Sequence, residues 1–230
     1  MGAQWKHKGK QANASARGAA YSKMTKAIIM AAKGGADVAT NAKLRIAVDA
    51  AKKGSLPREN IERAIKKGAG LLDESVSYDT VTFEGFGPHR VPVIVECLTD
   101  NKNRTTPNIR FHFKGNLGAT GSVSWDFAHL GMIEASPPDG ADAENAAIEA
   151  GAQDLEAAED GATRFFTEPA DLDAVTKALT AAGWTVTSAV IGWKAKNPVA
   201  LDEPARGEVV TWLEALDADD DVQQIYVALA

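Results

Sequence analysis

NAKLRIAVDAAKKGSLPRENIERAIKKGAG, residues 41–70, decides how the chain is read. Asn41 can cap a helix that puts Leu44, Val48 and Ala51 on one side and Lys43, Arg45, Lys52 and Lys53 on the other. Gly54 stops that helix, and Ser55-Leu56-Pro57 opens the next with proline in its first turn. There Ile61, Ala64 and Ile65 face inward, while Arg58, Glu62 and Lys66 share the opposite face at i, i+4 and i+8. Upstream, Tyr21, Met24, Ile28 and Ala31-Ala32 recur at three- and four-residue steps, which predicts a helix over residues 16–33 ended by Gly34-Gly35. Three short helices with narrow apolar stripes make a small bundle. Residues 5–15, basic and polar without an apolar period, read as a flexible arm in front of it.

Charge separates this segment from the rest. Residues 1–70 hold 15 Lys/Arg against 4 Asp/Glu, a net +11, whereas the other 160 residues hold 10 against 27, a net −17. The overall charge of −6 therefore hides a strongly dipolar chain, one end of which suits a polyanion. No apolar run approaches the roughly 18 residues that span a bilayer, and no apolar signal core opens the chain. One cysteine excludes an intramolecular disulfide and suits a reducing cytoplasm, the expected compartment.

Beyond residue 79 the period changes. Residues 80–86 and 91–98 are β-branched or aromatic runs joined by Gly87-Pro88-His89-Arg90, a hairpin pattern. Thr105-Thr106-Pro107 is expected to start a helix through Lys114, followed by a glycine-rich loop at 115–121 and strands at 122–127 and 132–135. After the linker Ser136-Pro137-Pro138-Asp139-Gly140, the chain turns acidic, and residues 134–203 carry 4 Lys/Arg against 14 Asp/Glu. The pattern there is helix 141–150, strand 154–158, a turn at Asp160-Gly161, strand 163–167, helix 169–182 and strand 184–193. The last helix and strand, 205–216 and 222–229, cannot bury an apolar side alone, so they are expected to complete the unit begun at residue 80. The fold class is thus α+β: a basic three-helix domain (1–75), a central α+β domain (76–135 with 205–230), and an acidic α+β domain inserted at 136–204.

Enzyme chemistry finds little footing. Cys97 sits inside a strand and reads as a buried thiol, with no local nucleophile signature. His7, His89, His112 and His129 form no metal-ligand spacing, and Gly115, Gly118 and Gly121 match neither GxGxxG nor GxxxxGK[ST]. No catalytic residue, metal or cofactor is expected. The basic surface is the strongest feature. Trp5, Lys6, Lys8, Lys10, Arg17, Lys23, Lys26, Lys43, Arg45, Lys52, Lys53, Arg58, Arg63, Lys66 and Lys67 are the candidate nucleic-acid contacts. Trp5 adds a ring on which a base can stack. Asn103, Arg104, Asn116, Thr120 and Ser122 are candidates for a second functional surface.

Several runs carry a family resemblance. They are residues 2–10, Leu44-Arg45-Ile46-Ala47-Val48, residues 56–70, Phe83-Glu84-Gly85-Phe86-Gly87-Pro88, residues 95–105, residues 117–125 and Asp219-Asp220-Asp221-Val222. Together they make the chain similar to the YebC/PmpR family over nearly its whole length. The resemblance implies a basic helical N-terminal domain, a central domain completed by the C-terminus, and an inserted domain with a ferredoxin-like sheet. Two such α+β domains are expected. It further implies a non-enzymatic, DNA-binding regulator of transcription, or alternatively a ribosome-associated factor that binds rRNA or tRNA and activates translation or relieves stalling. No helix presents a base-reading set of side chains, so recognition by charge and shape is expected, on duplex DNA or structured RNA. The expected partners are nucleic acid and, through the acidic domain, a protein. A monomer away from membranes is expected.

Overall fold

The structure, a computed structural model, describes residues 14–72 and 77–230, with residues 14–16 described by their backbone only. Trp5, Lys6, Lys8 and Lys10 lie outside the described residues. The chain divides into two compact units. One takes the described residues up to Ala128 with Lys194–Ala230, and the other is His129–Trp193.

The first unit begins with α1 (Ala14–Ala32), α2 (Ala42–Lys53) and α3 (Arg58–Gly68). The Asn41 side chain accepts from the Leu44 amide at 3.0 Å, and its Nδ2 donates to the carbonyls of Ala31 and Gly35. One residue therefore caps α2 and holds the turn from α1, a cap worth about 1 kcal/mol. Pro57 stands just before α3 as its N-cap rather than inside its first turn. Ile28, Ile29, Leu44, Val48, Ala51, Leu56, Ile61 and Ala64 form the core of the bundle, with Tyr21, Met24 and Ile65 packed at its margin. Gly68 lets α3 touch α1: a Cβ there would collide with the Ile29 carbonyl oxygen and lie 2.7 Å from the Ala32 Cβ.

The same unit holds β1 (Asp79–Phe86), β2 (Pro92–Thr99), α4 (Lys102–Phe113), and, from the C-terminus, α7 (Glu203–Asp217) and β7 (Val222–Val227). The sheet runs β1-β2-β7, antiparallel throughout. Val93, Val95 and Cys97 of the central strand pack with Ile109 and Phe113 of α4 and with Val209, Leu213 and Leu216 of α7. The C-terminal helix and strand thus complete the hairpin's sheet. Two details differ from the sequence reading. α4 starts at Lys102, since the Asn101 side chain accepts from the Arg104 amide at 3.2 Å and caps it. Pro107 consequently lies inside the helix, which forgoes the bond to Asn103 that its missing N–H would have made.

The strand expected at 122–127 is absent because its amides are taken elsewhere. The Glu84 carboxylate accepts from Val123 and Ser124, leaving a short 3-10 turn at Ser124–Asp126. A single strand, β3 (Phe127–Ser136), comes after that turn and joins the second sheet. That sheet also contains β4 (Asp154–Ala157), β5 (Thr163–Thr167) and β6 (Thr185–Ala195), in the order β4-β5-β3-β6. With α5 (Ala143–Ala150) and α6 (Leu172–Ala181) between strands, this is the βαββαβ order of a ferredoxin-like sheet. Asp142 caps α5 through the amides of Glu144 and Asn145, and Gly183 (φ 87°) turns the chain after α6. Ile133, Phe165, Leu172, Val175, Leu179 and Trp184 fill the core. The fold class is therefore α+β, with a helical N-terminal part and two antiparallel sheets. The central sheet has three strands, because β3 belongs to the other one.

The close passage of α3 over α1 makes Gly68 the sharpest packing constraint. Gly68→Ala is expected to destabilise the protein by about 1–3 kcal/mol, because backbone rather than a flexible side chain must give way. Chemical denaturation would measure this. An unchanged midpoint would mean the helices do not approach so closely.

Candidate nucleic-acid interface

α2 and α3 separate apolar and cationic residues by position alone. In α2 the buried set is Leu44, Val48 and Ala51, which leaves Lys43, Arg45, Lys52 and Lys53 exposed. In α3, burial of Ile61 and Ala64 leaves Arg58, Arg63 and Lys66 outside, while Lys67 is half-buried. Some of this charge is spent locally. Arg58 pairs with Glu62 at 2.7 Å and Lys52 with Asp49 at 3.6 Å. Lys43, Arg45, Lys53 and Lys66 are joined by no ion pair to any described residue. Arg17, near the start of α1, is exposed as well.

Two of the expected phosphate contacts point inward. Lys26 is buried, and its ammonium donates to Leu98 O at 3.0 Å, Asp220 O at 2.8 Å and Asp221 Oδ1 at 2.8 Å. An ammonium has three protons, and each has an acceptor here. Lys23, one turn earlier, reaches the Asp217 carboxylate at 2.7 Å and the Asp217 carbonyl. Both lysines anchor α1 to the end of α7 and the start of β7. They fasten the basic helices to the sheet instead of facing a ligand.

Asp221 is the hub of that junction. Its carboxylate also accepts from Arg104 Nη2 at 3.0 Å and from the Thr105 hydroxyl at 2.7 Å. The Thr99 and Thr105 hydroxyls lie 2.7 Å apart, and the Asn101 amide donates to Thr99 Oγ1 at 2.9 Å. Burial alone would raise the Asp221 pKa. Hydrogen bonds from Lys26, Thr105 and Arg104 more than offset that and hold it below the usual carboxylate range. A cleft of about 660 Å³ opens beside the hub, lined in part by Gly18, Ser22, Tyr78, Asp100, Arg104 and Asn108. Arg104 is thus fixed by Asp100 and Asp221, and Asn103 is exposed on the same turn.

The remaining loop candidates belong to a second structure. Asn116 O accepts from the Phe86 amide at 3.1 Å, the Gly118 amide donates to Glu84 O at 2.8 Å, and Leu117 bridges Gly85. The Glu84 carboxylate then accepts from the amides of Gly121, Val123 and Ser124 at 2.8, 3.0 and 2.9 Å. Burial would push the Glu84 pKa up, but these amides and the Ser124 hydroxyl pull it below its ordinary value. Thr120 stays exposed on the strapped loop. Ser122 turns its hydroxyl inward against Gly118, where a Cβ would collide with it. Asn116, Thr120 and Ser122 therefore share one loop, whereas Asn103 and Arg104 sit on the Asp221 junction.

Cys97 is fully buried, and burial, with Asp219 and Asp221 nearby, pushes its thiol up to about 12. It is a core residue with negligible thiolate at neutral pH. Sequence reading passed over Glu84 and Asp221, whose partners are distant in the chain, and Phe111 and Trp125, which are exposed. No described helix is long and apolar enough to cross a membrane.

Comparison with known proteins places the chain in a family. The family model of the TACO1/YebC N-terminal domain matches residues 2–71, and that of the TACO1/YebC second and third domain matches residues 78–229. A probable transcriptional regulatory protein of Pseudomonas fluorescens is 62% identical over 100% of both chains. Proteins of the same description from a Polaromonas species and from Bdellovibrio bacteriovorus are 56% and 47% identical, again over 100% of each chain. The crystal structure of a conserved hypothetical protein from Aquifex aeolicus superposes with a TM-score of 0.80 at 40% identity, covering 99% of this chain and 96% of that one.

The junction carries two testable consequences. Lys26→Ala leaves a buried carboxylate short of a partner and is expected to cost about 3–5 kcal/mol, whereas Lys53→Ala at the surface should stay within about 0.5 kcal/mol. Equal unfolding midpoints for the two variants would refute the anchor. Glu84 and Asp221 both have depressed folded pKa values, so the unfolded chain binds more protons in acid. Their stabilisation is complete above the ordinary carboxylate range near pH ~4 and is lost as pH falls through the depressed values. Unfolding midpoints tracked from pH 7 to pH 2 should drop in that lower window, and Glu84→Gln should flatten the drop.

Proposed function

The chain belongs to the TACO1/YebC family, and from that premise we propose that it is a nucleic-acid-binding regulator of gene expression whose helices α2 and α3 hold the phosphate backbone. The observation that carries this reading is the set Lys43, Arg45, Lys53 and Lys66, exposed and without ion pairs to described residues. Residues 41–70 hold 8 Lys/Arg against 3 Asp/Glu, so local acids leave a net +5. Such a surface neutralises phosphates and releases counterions, which gives salt-dependent affinity with little sequence selection. The protein acts by binding, in the cytoplasm. The three-part division adds roles to this picture: a basic reader (1–75), a central part that orients it (76–135 with 205–230), and an acidic part (136–204) that repels polyanions and is available to a protein partner.

The names of the relatives favour regulation of transcription, and hence duplex DNA as the target. A second reading, binding of structured RNA on the ribosome in a translational role, is favoured by the exposed face itself. It is made chiefly of Lys, Arg and Glu, which suits recognition by shape and charge.

The fourfold variant Lys43→Glu, Arg45→Glu, Lys53→Glu, Lys66→Glu tests the shared claim. All four positions are exposed, so the fold should survive, while nucleic-acid affinity should collapse and the slope of log K against log salt should shrink by about 3–4. Undiminished binding would remove the basic helices from the interface. A transcription factor should also prefer one promoter over random duplex by at least about 10³-fold at physiological salt. A ribosome-bound factor should instead co-sediment with ribosomes and lose that association in the fourfold variant.

A further inference from the structure

Trp125 is 68% exposed, yet it does not sit in a loose segment. Val123 and Phe127, two residues to either side, are buried at 1% and 3%. The amides of Val123 and Ser124 end on the Glu84 carboxylate, and the indole Nε1 donates to Ser122 O at 3.1 Å. Asp126, also buried, accepts from Asn197 Nδ2 at 2.8 Å and, through its carbonyl, from the Lys196 amide at 2.9 Å. Each of these ties limits the freedom of the backbone that carries the ring. The indole is held in place with most of its surface in water, an arrangement that costs hydrophobic burial and leaves a fixed aromatic platform.

Beside its backbone stands a charge of the sign a nucleic acid requires. Lys196 Nζ donates to Trp125 O at 3.0 Å, which fixes an ammonium beside the platform with two further protons to offer. Residues 110–128 and 194–200 together hold Arg110, Lys114, Lys194 and Lys196 against Asp126 alone. These are 4 of the 10 Lys/Arg in residues 71–230, so the two chain segments that carry Trp125 and Lys196 are cationic by composition. Asp126 is buried and hydrogen-bonded, so it contributes little repulsion at the surface.

We infer that Trp125 is a stacking platform for an unpaired nucleobase, with Lys196 beside it to receive the adjoining phosphate. This rests on the nucleic-acid reading proposed above and extends it to a second site on a different structural element. A base inside a duplex has both faces covered by its neighbours, so an indole can accept only a base from a single strand, a loop or a flipped position. The basic helices would supply charge-dependent affinity for any strand, and Trp125 would supply a preference for unpaired ones.

The full chain would be titrated with a single-stranded oligoadenylate of about 12 nucleotides and with a duplex RNA of the same length, at fixed salt, by fluorescence anisotropy. Trp125→Ala is expected to weaken single-strand binding by about 5- to 150-fold, to leave duplex binding within about twofold, and to reduce the tryptophan quenching caused by oligoadenylate. Trp125→Phe should recover much of the loss, since it keeps an aromatic face. Because the ring is exposed, both variants should unfold at the wild-type midpoint, which serves as the control for folding. Unchanged single-strand affinity in Trp125→Ala, an equal loss on both ligands, or no single-strand binding by the wild type would each overturn the platform. The fourfold charge-reversed variant separates this from the earlier claim. If it releases duplex while Trp125→Ala changes nothing, only the platform fails; if it binds duplex like the wild type, the basic-helix reading fails.

Discussion

One buried ammonium joins the basic helices to the sheet. Lys26 places three protons on three acceptors, two of them backbone carbonyls at the ends of β2 and of the turn before β7, and the third the Asp221 carboxylate. Taking a lysine and an aspartate out of water is expensive, and such a pair is weak evidence of net stability when compared with apolar packing. Its value here is geometric. The acceptors lie at fixed points of the sheet, so only one position and rotation of α1 satisfies all three. Asp221 in turn receives Arg104 and Thr105 from the first turn of α4, so the same carboxylate also ties α4 to the junction. A helix bundle that could have slid over an apolar surface is instead locked by a small set of charged and polar atoms.

Much of the architecture was legible because its causes are local. Asn41 and Gly54 announce helix ends through cap chemistry, and the structure uses them there. The β4–β5 hairpin of the second sheet was readable for a similar reason, whereas β3, expected in the central domain, was not. The Asp160-Gly161 turn, with φ of 55° and 76°, separates two runs that pair residue by residue. The features that escaped reading depend on partners far away in the chain. Residues 122–127 have the composition of a strand, but Glu84, some 40 positions earlier, captures their amides. Pro107 suggests a helix start that the Asn101 cap has already made. Lys26 stands three residues before Ile29, at the margin of the apolar stripe, yet nothing nearby announces Asp221. The candidate site was therefore legible as a cationic surface but not as a set of contacts.

Removing Lys23 and Lys26 from the phosphate contacts clarifies the electrostatics. Their charge is cancelled inside the first unit by Asp217 and Asp221, and those carboxylates are in turn withdrawn from the acidic surface. The second unit manages its excess of acid differently. Arg164 stands between Glu134 and Glu156 on neighbouring strands, in register with both, and pairs with each at 3.0 and 2.8 Å. Elsewhere its carboxylates stay outside, where solvent screens them but a polyanion would still feel them at low salt. The charge asymmetry of the sequence thus persists in the folded protein after the structural ion pairs are subtracted.

Charge and stacking make different demands on a scaffold. Phosphate contacts tolerate long, mobile side chains, because the attraction falls off slowly and each lysine can find an oxygen from several conformations. Stacking tolerates far less, since a ring must lie flat at van der Waals distance from its partner. The structure is graded in the same way. Lys43, Arg45, Lys53 and Lys66 extend from helix surfaces with no local restraint, whereas Trp125 is carried by a segment tied to Glu84, Ser122 and Lys196. Buried carboxylates accomplish the fixing in both regions: Asp221 for the helices and Glu84 for the loop. Each holds its donors through a pKa kept low by those same donors, so at neutral pH both remain charged and the two parts of the proposed interface keep their geometry.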